Sequence, residues 1–161
     1  VQIVEVEAYA GETDPGSHAF RGPTPRNQIM YGRAGHAYVY FCYGCHWMLN
    51  IVAGEEGDPS AVLVRAAMPV TGVESIRQNR PWARYDRDLL SGPGKLAQGL
   101  GITGAHNGLD LLDSSSLIRL RPSNQTREIL HTTRIGLAKG KGEDIPWRFV
   151  DAELSEWASV R

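Results

Sequence analysis

The residues best able to do chemistry in this sequence lie within its first fifty positions. Val1 to Tyr9 alternates closely enough to be a strand, with Val4, Val6 and Ala8 on one face and Glu5, Glu7 and Tyr9 on the other. A carboxylate and a phenol ring at i and i+2 project into one space, which suits a general base beside a stacking surface. Tyr38 and Tyr40 share a face of a second strand in the same way. Tyr43 falls at the tip of the hairpin closed by Tyr43-Gly44, where its own strands cannot bury it, so it can be a contact residue. The bland alternatives are an exposed polar strand face and a tyrosine packed on a neighbouring loop.

A competing motif overlaps that tip. Cys42-Tyr43-Gly44-Cys45-His46 has the C-x-x-C-H spacing by which c-type haem is attached, yet it straddles a hairpin instead of opening a helix. As zinc ligands the three side chains lack a fourth partner. A disulfide three residues apart closes almost no loop and cannot staple a fold, so two small buried cysteines in a sheet is the favoured reading.

The elements that must position these residues follow from the rest of the pattern. The chain has 161 residues, 42% of them hydrophobic and 22% charged, enough for one domain with a real core. No apolar run approaches bilayer length and no charged-then-apolar leader is evident, which predicts a soluble, intracellular protein with no membrane partner. The chain begins without Met inside a strand, so a preceding lead-in segment belonging to the fold is expected. Residues 10–36, rich in Gly, Pro, Asp, Ser and Thr, form a long structured loop. His36–Cys42 and Cys45–Ala53 make the hairpin, and Ala61–Ala67 a strand beside it. Thr71-Gly72-Val73-Glu74 has capping-box spacing for a short helix ending before Pro81, and Ser91-Gly92-Pro93 opens a second helix ending near Gly101. Further strands are predicted at Leu117–Arg121, Arg134–Ala138 and Trp147–Val150. These elements predict one α+β domain over residues 1–161, its curved, open barrel-like sheet mostly antiparallel, with a few short helices and a protruding hairpin.

The net charge of −1, from 17 cations and 18 anions, conceals a polarised distribution. Residues 1–20 hold Glu5, Glu7, Glu12 and Asp14 with no cation, and residues 21–50 hold Arg21, Arg26 and Arg33 with no anion. Residues 119–148 carry seven cations against three anions. Fourteen of the cations are arginine, whose planar fork suits phosphate or carboxylate. Lys95 in Ser91-Gly92-Pro93-Gly94-Lys95 sits where a helix N-terminus would favour phosphate, but the spacing is not that of a Walker loop.

Taken in order along the chain, several motifs resemble the alkyladenine (3-methyladenine) DNA glycosylase family. They are Val4-Glu5-Val6-Glu7-Ala8-Tyr9, Asp14-Pro15 with Ser17-His18, Thr24-Pro25-Arg26-Asn27, and Gly35-His36-Ala37-Tyr38-Val39-Tyr40 running through Tyr43-Gly44 to Asn50. Val64-Arg65-Ala66, Ser91-Gly92-Pro93-Gly94-Lys95-Leu96 and Arg134-Ile135-Gly136 continue the match; Cys45-His46-Trp47 departs from it, and residues 104–132 carry none of its motifs.

The resemblance implies a monofunctional base-excision repair enzyme that flips alkylated or deaminated purines out of duplex DNA. It implies Glu7 as the base that activates water, with Arg65 and the backbone carbonyl of Ile135 holding that water. Tyr40 would stack on one side of the base and Tyr9 with His18 on the other, and Asn50 would exclude the 2-amino group of guanine. Tyr43 is then the residue that enters the vacated duplex space, while Arg26, Lys95 and Arg134 touch the DNA backbone. No metal or cofactor is implied, and the protein is expected to act as a monomer on damaged double-stranded DNA, in a bacterial nucleoid or cytoplasm or a eukaryotic nucleus. A damage-binding module that flips a base without cleaving it is the rival; Glu7 with Arg65 favours catalysis.

Overall fold

The computed structural model describes residues 1–159. Six strands, β1 Gln2–Ala10, β2 Ala37–Cys42, β3 His46–Val52, β4 Ser60–Met68, β5 Ile129–Thr132 and β6 Arg148–Asp151, join in the order β2-β3-β4-β1-β6-β5. All five pairings are antiparallel. Two helices, α1 Val73–Asn79 and α2 Pro93–Gly99, lie between β4 and β5. Among the described residues no helix is long and apolar enough to cross a membrane.

Alternation along the strands divides the sheet into two chemically different faces. Val39, Leu49 and Val64 point to the side where α2 packs, and with Leu89, Leu90, Leu96 and Ile102 they form the main core. Their neighbours Tyr38, Val52 and Ala61 point the other way and pack on Ala19 and Met30 of the long loop. That loop is pinned by Asn27, a buried side chain that donates to the carbonyls of His18 (2.9 Å) and Gly22 (3.1 Å) and accepts from the Thr24 amide (2.6 Å). A polar residue can be buried here because its partners are all supplied.

β1 is central and irregular. Its register against β4 shifts on both sides of Glu5, a bulge that re-aims the carboxylate. Glu5 has no exposed surface and accepts from Arg65 Nε (2.9 Å), Arg148 Nε (2.6 Å) and the Ser159 amide and hydroxyl (2.5 and 2.7 Å). Burial pushes its pKa up, but the Ser159 amide, the Ser159 hydroxyl, Arg148 and Arg65 together hold it below its ordinary value. Glu5 is therefore the knot that ties β1 to β4, β6 and the last described residues, instead of a third group on the face of Glu7 and Tyr9.

The elements differ from the pattern-based expectation in four places. α1 is capped by Gly72 in the left-handed region (φ 69°) with no side-chain cap, so Thr71 lies outside the helix and the capping-box spacing is not used. Residues 117–121 and 134–138 form no strand, whereas β5, which was not expected, pairs with β6 at the sheet edge. Ile129 and Leu130 of β5 remain partly exposed, so neither burial nor a clean alternation marks that strand.

Candidate active site

One row across the sheet brings distant residues together. Tyr38 pairs with Asn50, Asn50 with Leu63, and Leu63 with Glu7, so a single line crosses β2, β3, β4 and β1. A pocket of about 270 Å³ opens over this row, lined by Tyr9, His18, Tyr40, Tyr43, Asn50, Arg65 and Ile135 among others. A larger cavity of about 750 Å³ lies on the opposite face, beneath Val4, Leu49, Ile51 and Val64. The two carboxylates that line it are already committed, Glu5 to Arg65 and Arg148 and Asp151 to Arg127 and the Glu153 and Leu154 amides, so the smaller pocket is the better site for chemistry.

Glu7 stands behind the pocket wall with no exposed surface. Its Oε2 accepts from Tyr9 Oη (2.9 Å) and Arg65 Nη1 (3.1 Å), and its Oε1 from the Ile135 amide (2.7 Å). All three donors line the pocket. A carboxylate has about four acceptor positions, so three are filled and one on Oε1 is left for a further donor. Ile135 meets Glu7 through its N–H, a contact that the expected role for its carbonyl did not include. Arg65 spans Glu7 and Glu5, which fixes its guanidinium between two buried carboxylates.

The aromatic groups are arranged differently from the expected sandwich. His18 packs edge-on against Tyr40, with ring centroids 4.5 Å apart, and its Nδ1 lies 2.9 Å from Tyr38 Oη. It therefore stands with Tyr40 and Tyr38, and among the described residues no ring contact joins it to Tyr9. Desolvation by that packing, then the nearby Arg26 guanidinium, lower the His18 pKa below the ordinary 6.5, so the ring is neutral at pH 7. Burial raises Tyr9 well above its ordinary value, aided by Glu7, and raises Tyr38 to about 12. The phenols are thus hydrogen-bond donors at any working pH. The Asn50 side chain donates to the Tyr38 carbonyl (3.3 Å), which holds its amide at the pocket floor.

Behind Tyr9 lies an ion pair that local pattern does not reveal. The side chains of Arg134 and Asp14 have no exposed surface; the pair is bidentate, at 2.5 and 2.9 Å, and Arg134 also donates to the Ala8 carbonyl (3.1 Å). Its guanidinium carbon sits 4.7 Å over the Tyr9 ring and 5.2 Å from that of Trp147. A side chain at Gly16 or Gly142 would come within 3.2 or 2.6 Å of Arg134 Nη2, so both glycines make room for the guanidinium. Arg134 is consequently an internal brace, and its side chain is too buried to meet a DNA backbone as expected. Because Ile135 follows it, the same brace aims the amide that holds Glu7.

Tyr43 projects from the hairpin tip, 88% exposed, and is the one non-glycine residue with positive φ (51°) among the described residues. Cys42 pairs with His46, so the loop holds three residues, Tyr43 to Cys45, one more than the expected two-residue turn; Tyr43 and Gly44 (φ 69°) are both left-handed, and an L side chain at the first of them is strained. The hairpin base is braced: Phe41 and Trp47 stack at 4.8 Å, and His46 packs so closely on Gly94 of α2 that a Cβ there would lie 2.8 Å from its ring. The two cysteines are not buried as expected, since Cys42 ends β2 half-buried at the pocket and Cys45 is exposed in the turn; no group of three His, Cys, Asp or Glu among the described residues could hold a metal. Lys95 is exposed, 3.5 Å from Ser91 Oγ, and Arg26 lies with its guanidinium 4.9 Å over the Tyr40 ring.

A family model described as methylpurine-DNA glycosylase matches residues 1–154. A protein of Rhodopseudomonas palustris is 52% identical over 147 residues, covering 91% of this chain and 68% of its own length. One from Carboxydothermus hydrogenoformans is 48% identical over 149 residues (92% and 76%), and one from Burkholderia orbicola 45% over 150 (92% and 72%). Each of the three is named as a candidate 3-methyladenine DNA glycosylase.

Breaking the Asp14–Arg134 pair should be costly because it strands a buried cation. Asp14→Asn is expected to lower unfolding free energy by about 3–5 kcal/mol at pH 7. Burial raises the Asp14 pKa, but Arg134 and the Gly16 amide hold it below its ordinary value. The stability from its charge is therefore full above pH ~4 and lost as pH falls through the folded value. Urea unfolding of parent and variant across pH 7 to 3 should show the difference shrinking. Tyr43→Gly, by contrast, should leave stability unchanged or raise it by up to about 1 kcal/mol, as thermal melting would show, because glycine takes the left-handed conformation freely.

Proposed function

This chain belongs to the methylpurine-DNA glycosylase family, and on that premise we propose that it excises alkylated purines of the 3-methyladenine type, and deaminated ones, from duplex DNA by hydrolysis of the N-glycosidic bond. One observation carries the reading: a fully buried carboxylate is held by three donors at the back of a base-sized pocket whose walls are aromatic.

The target bond is inaccessible inside a duplex, so the nucleotide must leave the stack. Tyr43 is the side chain that takes its place; it is exposed, at the tip of a braced hairpin, and next to the pocket that it lines. The flipped base enters between Tyr9 and the Tyr40–His18 pair. Alkylation at a ring nitrogen makes a purine cationic, and an aromatic face attracts such a base by about 0.5–2 kcal/mol. Asn50 at the floor crowds the position of a guanine 2-amino group.

The free acceptor position of Glu7 takes one proton of a water, and the carboxylate removes it as the oxygen attacks C1′. Negative charge at the same place stabilises the oxocarbenium-like sugar. Glycosidases acting on neutral sugars need a second carboxyl group as acid, whereas a cationic purine leaves as a neutral molecule without one. Arg65 and the Ile135 amide keep Glu7 pointed at the attack line, and no Schiff base or metal is required. The product is an abasic site.

Release of free base from dimethyl-sulfate-treated duplex under single-turnover conditions tests the whole reading. Glu7→Gln should bind lesion duplex like the parent and release base about 10²–10⁴ times more slowly; unchanged release would remove Glu7 from the chemistry. Tyr43→Gly should keep its fold and lose affinity for lesion duplex, and full affinity would refute its role as the wedge. Because burial and Arg26 hold the His18 pKa below its ordinary value, 7-methylguanine duplex should bind equally well from pH 8 to 7 and less tightly as the pH falls through that lowered value and a second cation forms beside the base, as the half-saturating enzyme concentration followed against pH would show.

A further inference from the structure

Two guanidinium groups flank the aromatic clamp. Arg134 stacks on Tyr9 at 4.7 Å and Arg26 on Tyr40 at 4.9 Å, and neither lines the pocket, so each backs a ring that does. The two are not electrically equivalent. Arg134 is neutralised by a bidentate carboxylate, Asp14. Arg26 is exposed and has no carboxylate partner among the described residues; its guanidinium donates to the Phe41 carbonyl at 3.5 Å, hydrogen-bonds the Tyr38 hydroxyl and lies over the Tyr40 ring. We propose that Arg26 is the lesion-charge selector of this site, placing unneutralised positive charge behind Tyr40 so that a cationic base is bound less tightly but released faster. This rests on the glycosylase reading above.

The field of Arg26 already reaches groups that line the pocket. It contributes to lowering the His18 pKa, and it opposes the larger effect of burial at Tyr40, as it does at Tyr38 behind them. A charge that disfavours the imidazolium on the pocket wall also disfavours a cationic purine between the same walls, offsetting part of the attraction that the bare rings provide.

The chemistry turns that penalty into rate. When the C1′–N bond of a cationic methylpurine breaks, its electron pair goes to the base nitrogen and the base passes from +1 to neutral. The positive charge moves to the sugar, then leaves as a proton from the attacking water to Glu7 while the new C1′–O bond forms. Positive charge behind Tyr40 therefore raises the energy of the bound cationic base and not that of the departing neutral one. A neutral lesion such as hypoxanthine carries no charge to be penalised on binding. Arg26 thereby narrows the affinity gap between cationic and neutral lesions, widening the range of bases the pocket accepts.

The test compares parent, Arg26→Gln and Arg26→Lys on two duplexes, one containing 7-methylguanine and one hypoxanthine, with single-turnover rate and half-saturating enzyme concentration measured for each. For 7-methylguanine, Arg26→Gln should lower both constants by about three- to tenfold, the scale of one partly screened charge acting across a ring. For hypoxanthine the half-saturating concentration should stay unchanged. Arg26→Lys, which keeps the charge, should restore parental values. Equal weakening of binding to both duplexes would make Arg26 a phosphate contact and overturn the proposal, as would two unchanged sets of constants. A parent protein that releases neither base would instead refute the glycosylase reading itself.

Discussion

A carboxylate with no access to water has to be met by donors from the protein, and that requirement organises the structure around Glu7. Three acids from the first fourteen residues, Glu5, Glu7 and Asp14, are buried. Their arginines come from far along the chain: Arg65 from β4, Arg134 from the segment after β5, Arg148 from β6. Such pairs cannot form until β1 lies between β4 and β6, so assembling the sheet and assembling the site are one event. Arg65 shows the economy of the arrangement, since one guanidinium serves the structural carboxylate Glu5 and the pocket carboxylate Glu7 together. The segment-by-segment polarity of the sequence is largely consumed in this way. Arginines and acids are withdrawn in equal number, which leaves the outer surface nearly neutral, and on the proposed reading DNA recognition depends on the hairpin and pocket more than on a general electrostatic field.

What could be read in advance follows from how local each cause is. β1 announces itself through its alternation, and the hairpin and β4 through aromatic and β-branched runs on either side of Tyr43-Gly44, because strand faces and tight turns are properties of neighbouring residues. The same alternation puts Glu7 and Tyr9 on one face and makes Tyr40 part of a wall. His18, Asn50, Arg65 and Ile135 enter the expected site through family resemblance, since nothing near them in sequence marks their roles. Residues 134–138 carry a strand-like pattern yet are held out of the sheet by tertiary demands: Arg134 is drawn to Asp14 and the Ile135 amide to Glu7. A pair 120 positions apart leaves no local signature. Its only traces are Gly16 and Gly142, whose missing side chains gain meaning once the guanidinium between them is located.

The hairpin concentrates strain at its exposed tip. Tyr43 holds a left-handed conformation that glycine would adopt without cost, and it does so while almost wholly exposed, so no packing in the free protein compensates for it. The compensation is at the base, where Phe41 lies on Trp47, Trp47 approaches Gly104, and His46 seats on Gly94 of α2. The unusual Cys45-His46-Trp47 sequence thus has a structural use: it docks the hairpin on the helix. A stiff base under a strained tip is what a side chain needs if it is to be pushed into a base stack without folding back.

Charge is graded across the pocket in a way that suits one direction of electron flow. Negative charge is fixed at the deep end by Glu7, neutral aromatic and imidazole groups line the middle, and the guanidiniums stand outside the rings. On the proposed reading the reaction carries positive charge from the base toward the sugar, down this gradient and toward the carboxylate. Tight stacking alone would hold a damaged purine and a released one almost equally well, giving affinity without turnover. A clamp whose backing charge opposes the bound cation and is indifferent to the neutral product distinguishes the two states, and it does so with the ring contacts unaltered.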